Sequence, residues 1–137
     1  MRFFQTLFTT LGRFAIAAIF VAAGAHKVLN WEATLDYMRS GGIVEHTEQL
    51  LIAAASVELI GGLAFAFGFF PRLFGVILAL FLIPTTYTFH NFWAMTDATA
   101  FDMQLTQFLK NLAIFGGLLC FVFAPGAPAK AAPSEKK

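Results

Sequence analysis

An all-α fold, four helices crossing a membrane as one bundle with both termini cytoplasmic, is what this sequence predicts, and three observations predict it. Of the 137 residues, 58% are hydrophobic and 12% charged, with a mean hydropathy of +0.73. Soluble domains run at roughly 45–50% apolar and ~25% charged, so a water-soluble globule is excluded. The apolar residues gather into four runs, at about residues 7–27, 50–70, 73–91 and 105–124. Each run is near the ~20 residues that cross a ~30 Å hydrocarbon core at ~1.5 Å per residue. Finally, Arg2, Arg13, Arg72, Lys130, Lys136 and Lys137 fall on one side of the bundle, against only Lys27, Arg39 and Lys110 on the other. Lysine and arginine accumulate on the cytoplasmic side, which places both termini there.

The elements follow in chain order. The first run opens after Arg2, carries Arg13 and closes on Lys27. Arg2, the apolar run and the small residues Ala23, Gly24 and Ala25 imitate a secretory signal with its cleavage site. Arg13 interrupts that pattern, and the bundle needs the span, so the segment is read as retained. The connection over residues 28–49 contains Gly41 and Gly42. Within it, Trp31, Leu35 and Met38 recur at helical spacing and predict a short interfacial helix over residues 31–39. Only Pro71 and Arg72 separate the second and third runs, which predicts a tight antiparallel hairpin. In the third run, Pro84 removes a backbone donor and frees the Leu80 carbonyl. Thr85, Thr86 and Thr88 follow, able to hydrogen-bond loosened backbone or a ligand. The connection over residues 92–104 reads as a polar loop with Asp97 and Asp102. One domain therefore spans residues 1–124, and the Pro-, Ala- and Lys-biased residues 125–137 read as a disordered cytoplasmic tail. Trp31, Tyr37, Tyr87 and Trp93 all fall near the outer face, as an aromatic belt does.

The chemistry concentrates on Glu58, an acid inside the second apolar run. An ionisable side chain there costs several kcal/mol unless something pairs with it. Lys27 at the end of the first span and Lys110 in the fourth have stems long enough to reach it. Ala54, Ala55, Glu58, Gly61 and Gly62 share one helical stripe, and small residues permit close helix approach. Thr86, Tyr87 and His90 share a stripe on the third span. Thr106, Gln107, Lys110, Ala113 and Gly117 share one on the fourth, where Asn111 follows Lys110. Two readings stand side by side. In one, a Glu–Lys pair fixes helix register. In the other, Lys27, Glu58, His90, Lys110 and Asn111 form a polar pocket for a head group such as a quinone carbonyl or an anion. Arg13 is assigned a structural polar role.

Other classes fall away. A net charge of +1 and the lack of a basic groove exclude nucleic acid as a partner. His26, His46 and His90 lack ligand spacing, so no metal is assigned. Cys120 is alone, which removes disulfide and dithiol chemistry and leaves it as a small packing residue. Nucleotide loops and the acyl-transfer elbow are missing too, so no residue is assigned a catalytic role.

Arg13 and Lys27 with Gly24 between them are followed by VELIGG (residues 57–62), FGVILA (74–79), FHNFW (89–93) and LKNLAIFGGLL (109–119). In that order and spacing the chain resembles the DoxX family of small bacterial membrane proteins. The resemblance implies a four-helix bundle in the bacterial inner membrane. It maps the family's motif positions onto Arg13, Lys27, Glu58, Gly62, His90, Lys110 and Asn111. It also implies service in a redox assembly, as a thiosulfate:quinone oxidoreductase subunit or as an anchor for oxidative-stress enzymes. The expected role is an accessory subunit of a redox system, quinone-linked or tied to oxidative stress, with no covalently bound cofactor and a quinone as the ligand. The rival is a non-catalytic anchor or assembly partner whose polar cluster only holds the bundle together. The expected partners are the lipid bilayer, a redox-enzyme subunit and a second copy of the chain.

Overall fold

The computed structural model describes residues 2–123, so the expected tail over residues 125–137 lies outside the described part. The chain runs α1 (Arg2–Leu29), α2 (Trp31–Ser40), α3 (Thr47–Ser56), a π turn (Val57–Gly61), α4 (Gly62–Phe67), α5 (Pro71–Phe89), a short 3-10 turn (Phe92–Ala94) and α6 (Ala98–Phe123). No strand occurs among the described residues. Four segments are long and apolar enough to span a membrane: Phe3–Leu29, Thr47–Phe67, Pro71–Ala94 and Ala98–Phe123. The second joins α3, the π turn and α4 into one rod. Most large apolar side chains outside the core are exposed on the bundle surface, among them Phe8, Ile60, Leu80 and Leu109. Such a surface is stable only against lipid tails.

The bundle's core packs Ala17 and Phe20 of α1, Phe65 and Ala66 of α4, Leu78, Ala79 and Leu82 of α5, and Leu118 of α6. A smaller cluster of Leu35, Met38 and Leu51, flanked by Trp31, Ile43 and Phe89, fastens α2 across one end. Tyr37 stacks on Phe89 with ring centroids 5.3 Å apart, tying α2 to the end of α5. The expected interfacial helix is therefore present, one residue longer than its periodicity indicated.

Several boundaries differ from expectation. The second span begins at Thr47, whose hydroxyl donates to the Ile43 carbonyl at 2.9 Å, and it ends at Phe67. The hairpin turn falls on residues 68–70 and not on Pro71 and Arg72. Gly68 takes φ +79, and Phe69 N–H closes back on the Ala64 carbonyl at 2.9 Å, a Schellman ending that favours glycine. Pro71 is instead the first residue of α5, where its fixed φ and missing N–H suit a helix start. The expected loop over residues 92–104 is also mostly helix. Asp97 Oδ2 accepts from Ala100 N–H at 2.8 Å and so caps α6 from the N-terminal side.

The face of α6 also differs. Asn111, Leu118 and Val122 are its buried positions, while Thr106, Lys110 and Ala113 are exposed. The helix lies along α5 and touches α1 only lightly, so α5 decides which stripe turns inward. Cys120, expected to pack, is exposed on this helix. Around Pro84, Thr85 Oγ1 donates to the Phe81 carbonyl at 2.8 Å, the backbone role that the sequence allowed for it.

Candidate functional site

Glu58 sits in the π turn, about 16 Å along the second span from Thr47 at ~1.5 Å per residue. Only 4% of it is exposed. π turns insert one extra residue into a helix and recur at functional sites. Here the turn meets α1 at Gly24. A Cβ on Gly24 would stand 2.8 Å from Leu59 Cγ, 3.0 Å from Glu58 Cβ and 3.1 Å from Leu59 N. One turn further on the relation reverses, and a Cβ on Gly62 would stand 3.0 Å from Val21 Cγ2 and 3.2 Å from Phe20 Cβ. Gly24 and Gly62 thus bring the two backbones together, and that approach delivers Lys27 to the carboxylate.

Lys27 Nζ lies 2.8 Å from each carboxylate oxygen of Glu58. Its hydrogen bond is directed at Oε1. Buried Oε2 is held by charge and receives no directed donor. The pair is asymmetric, since the lysine side chain keeps 23% of its surface exposed and the glutamate side chain 5%.

Of the two lysines expected to reach Glu58, Lys27 does so. Lys110, exposed, hydrogen-bonds Gln107 on its own helix. It still lines the edge of the cavity that Glu58 faces. That cavity encloses about 160 Å³ and brings together Lys27, Glu58, Thr85, His90, Lys110 and Asn111, with apolar walls from Phe20, Phe81 and Ile114. The five residues expected to bind a ligand therefore share one space. Their exposures differ, with Glu58 and Asn111 buried and Lys110 at the rim.

His90 caps the end of α5, with Nδ1 3.0 Å from Gln104 Oε1. An amide oxygen only accepts, so Nδ1 is the donor, which in the neutral ring leaves Nε2 as the acceptor. Asn111 Nδ2 donates to Thr86 Oγ1 at 3.0 Å, bridging α6 to α5. Arg13 belongs elsewhere. Its guanidinium lies against Gly68 at the hairpin and 5.9 Å from the centroid of the Phe121 ring, with Nε buried and unbonded. It supports the far end of the bundle through a cation–π contact.

A second, wider cavity of about 390 Å³ opens beneath α2. It shares Lys27, Phe81, Thr85 and His90 with the first and adds His26, Thr34 and Tyr37. The inner chamber thus adjoins a vestibule at the α2 end. Sequence reasoning did not single out Gln104 or Thr34, because each is an ordinary polar residue in a segment read as connection. Chemically, the chamber offers one ion pair, an imidazole, an amide and a hydroxyl inside apolar walls. Such sites orient a small polar group and leave the rest of a ligand to hydrophobic contact.

The DoxX family profile matches residues 8–91. The match takes in Arg13, Lys27, Glu58 and His90 and ends before Lys110 and Asn111. Two inner membrane proteins of Escherichia coli K12 are similar over 118 residues. YphA is 30% identical, with 85% of this chain and 83% of the relative covered. YqjF is 32% identical, with 85% and 84% covered. No solved structure matches the chain.

Proposed function

The chain belongs to the DoxX family of inner-membrane proteins, and we propose that it serves there as an accessory subunit of a redox system, holding the head group of a quinone-class ligand at Glu58. The observation that carries this reading is the buried Glu58 carboxylate facing a 160 Å³ chamber with one oxygen lacking a directed donor. A purely structural ion pair has no need of the space beside it. Lys27, Asn111 and Lys110 are donors for carbonyl oxygens, and His90 Nε2 is an acceptor for a hydroxyl on the reduced ring.

Binding is read as ligand-dependent stabilisation, since a ligand stabilises a fold according to its affinity for it. Decylubiquinol, whose hydroxyls can donate to Glu58 and His90, should raise the melting temperature of the detergent-solubilised protein, and Glu58→Gln and His90→Ala should each shrink that rise. Equal rises in wild type and both variants would remove the pocket. The anchor reading would then lead, because Lys27 and Glu58 already form an ion pair at 2.8 Å that ties α1 to the second span.

The distribution of lysine and arginine supports an orientation with α2 and the α5–α6 connection on the outer face of the membrane and both termini in the cytoplasm. In a Cys120→Ser background, cysteines at Ser40 and Ala98 should react with an impermeant thiol reagent on whole cells, and one at Ser134 should not. The reverse labelling pattern would invert the orientation.

A further inference from the structure

A third cavity, of about 250 Å³, lies between α5 and α6, lined by Leu82, Ile83, Tyr87, Phe108, Leu112 and Phe115, with Thr86 and Asn111 on its inner side. Its lining is almost wholly apolar, and Ile83, Tyr87 and Leu112 are exposed on the bundle surface, so the crevice faces lipid. Asn111 lines this crevice and the Glu58 chamber alike. Its hydrogen bond to Thr86, 3.0 Å long, therefore lies where the two spaces meet.

We propose that the α5–α6 crevice holds the apolar tail of the ligand whose head occupies the Glu58 chamber, and that Asn111 and Thr86 form the doorway between them. The proposal rests on the quinone-class reading of Glu58 and adds the route and the tail subsite. Two features choose this occupant. The crevice walls are almost wholly apolar and its polar groups, the bonded Asn111 amide and Thr86 hydroxyl, stand on the inner side, the distribution of polarity along a molecule with one polar head and a long hydrocarbon tail. The chamber beyond holds Lys27 and Asn111, donors for a head-group carbonyl, with Lys27 kept there by the buried Glu58 carboxylate, which can itself accept from a hydroxyl of the reduced ring. A membrane-dissolved ligand then enters sideways, from the bilayer, while the vestibule under α2 stays open to water.

The chain carries a reporter for this. Of its two tryptophans, Trp93 packs on Tyr87 at 5.4 Å and on Phe108 at 6.1 Å between ring centroids, and both rings line the crevice. In Trp31→Phe protein in phosphatidylcholine nanodiscs, decylubiquinone should quench Trp93 saturably. Filling the crevice with Ile83→Phe and Leu112→Phe should weaken that binding about tenfold, the loss expected when two tail methylenes stay unburied. The tail-less 2,3-dimethoxy-5-methylbenzoquinone should bind both forms equally. Equal decylubiquinone affinity in filled and unfilled protein overturns the tail subsite, even if Glu58→Gln abolishes binding and so upholds the head site. Weakening by the filled crevice with no effect of Glu58→Gln upholds the tail subsite and overturns the reading of Glu58. Quenching by phosphatidylcholine brominated in its acyl chains, unrelieved by decylubiquinone, identifies the occupant as bulk lipid and overturns the proposal.

Discussion

Lys27→Met is expected to destabilise the protein by ~3–5 kcal/mol, the usual result of stranding one member of a buried ion pair. The direction of the asymmetry matters more than the size. Lys27 retains exposed surface, and its stem can carry the ammonium toward the interface when the partner is lost. Glu58 has a short stem, is 4% exposed and lies inside the π turn, so it has no such escape. Glu58→Leu should therefore cost less than Lys27→Met. The double variant should recover much of the loss, because removing both charges removes the desolvation problem with them. Unfolding of all three in the same detergent, followed by circular dichroism against added dodecyl sulfate, measures the order. Strictly additive losses in the double variant would mean that the two side chains do not depend on one another.

Gly24→Val should do comparable damage for a steric reason. The added Cβ alone meets Leu59 N at 3.1 Å and Glu58 Cβ at 3.0 Å, and neither belongs to the free end of a flexible side chain. Overpacking of a tight core typically costs ~1–3 kcal/mol, and a branched side chain against backbone belongs at the upper end. The control is Gly12→Val on the same helix, where an added Cβ meets nothing within 4 Å. A marked fall in melting temperature for Gly24→Val beside little change for Gly12→Val is the expected result. Indistinguishable melts would show that α1 and the π turn do not need their close approach.

Much of this arrangement was legible in the sequence. Four spans follow from run length, α2 from the spacing of Trp31, Leu35 and Met38, and the importance of Glu58 from the cost of an acid in hydrocarbon. Lys27 and Lys110 both stood within reach of Glu58, and sequence alone could not rank them. The choice depends on how far α6 is rotated about its own axis, which its contact with α5 decides. The hairpin was displaced because Pro71 was read as a breaker when it is a helix starter, and the Schellman ending at Gly68 carried the real stop signal. The start of α6 was hidden by the polar look of residues 92–104, although Asp97 two residues after Met95 is a cap by type. The π turn leaves no side-chain pattern at all, since it is a shift of backbone hydrogen bonds by one residue. The shared wall at Asn111 is a property of packing between two helices, and nothing local announces it.

The π turn also gives the second span slack. It absorbs one residue of length without rotating the segments on either side, so Thr47–Ser56 and Gly62–Phe67 hold their facings as an uninterrupted helix one residue shorter would. Leu51 on one side of it, and Phe65 and Ala66 on the other, are clamped in the two cores, and Ala55 beside it is buried. Glu58 sits between those clamps on the five residues Val57–Gly61, so the extra residue is taken up where the carboxylate meets Lys27, and neither end of the rod has to turn to accommodate it.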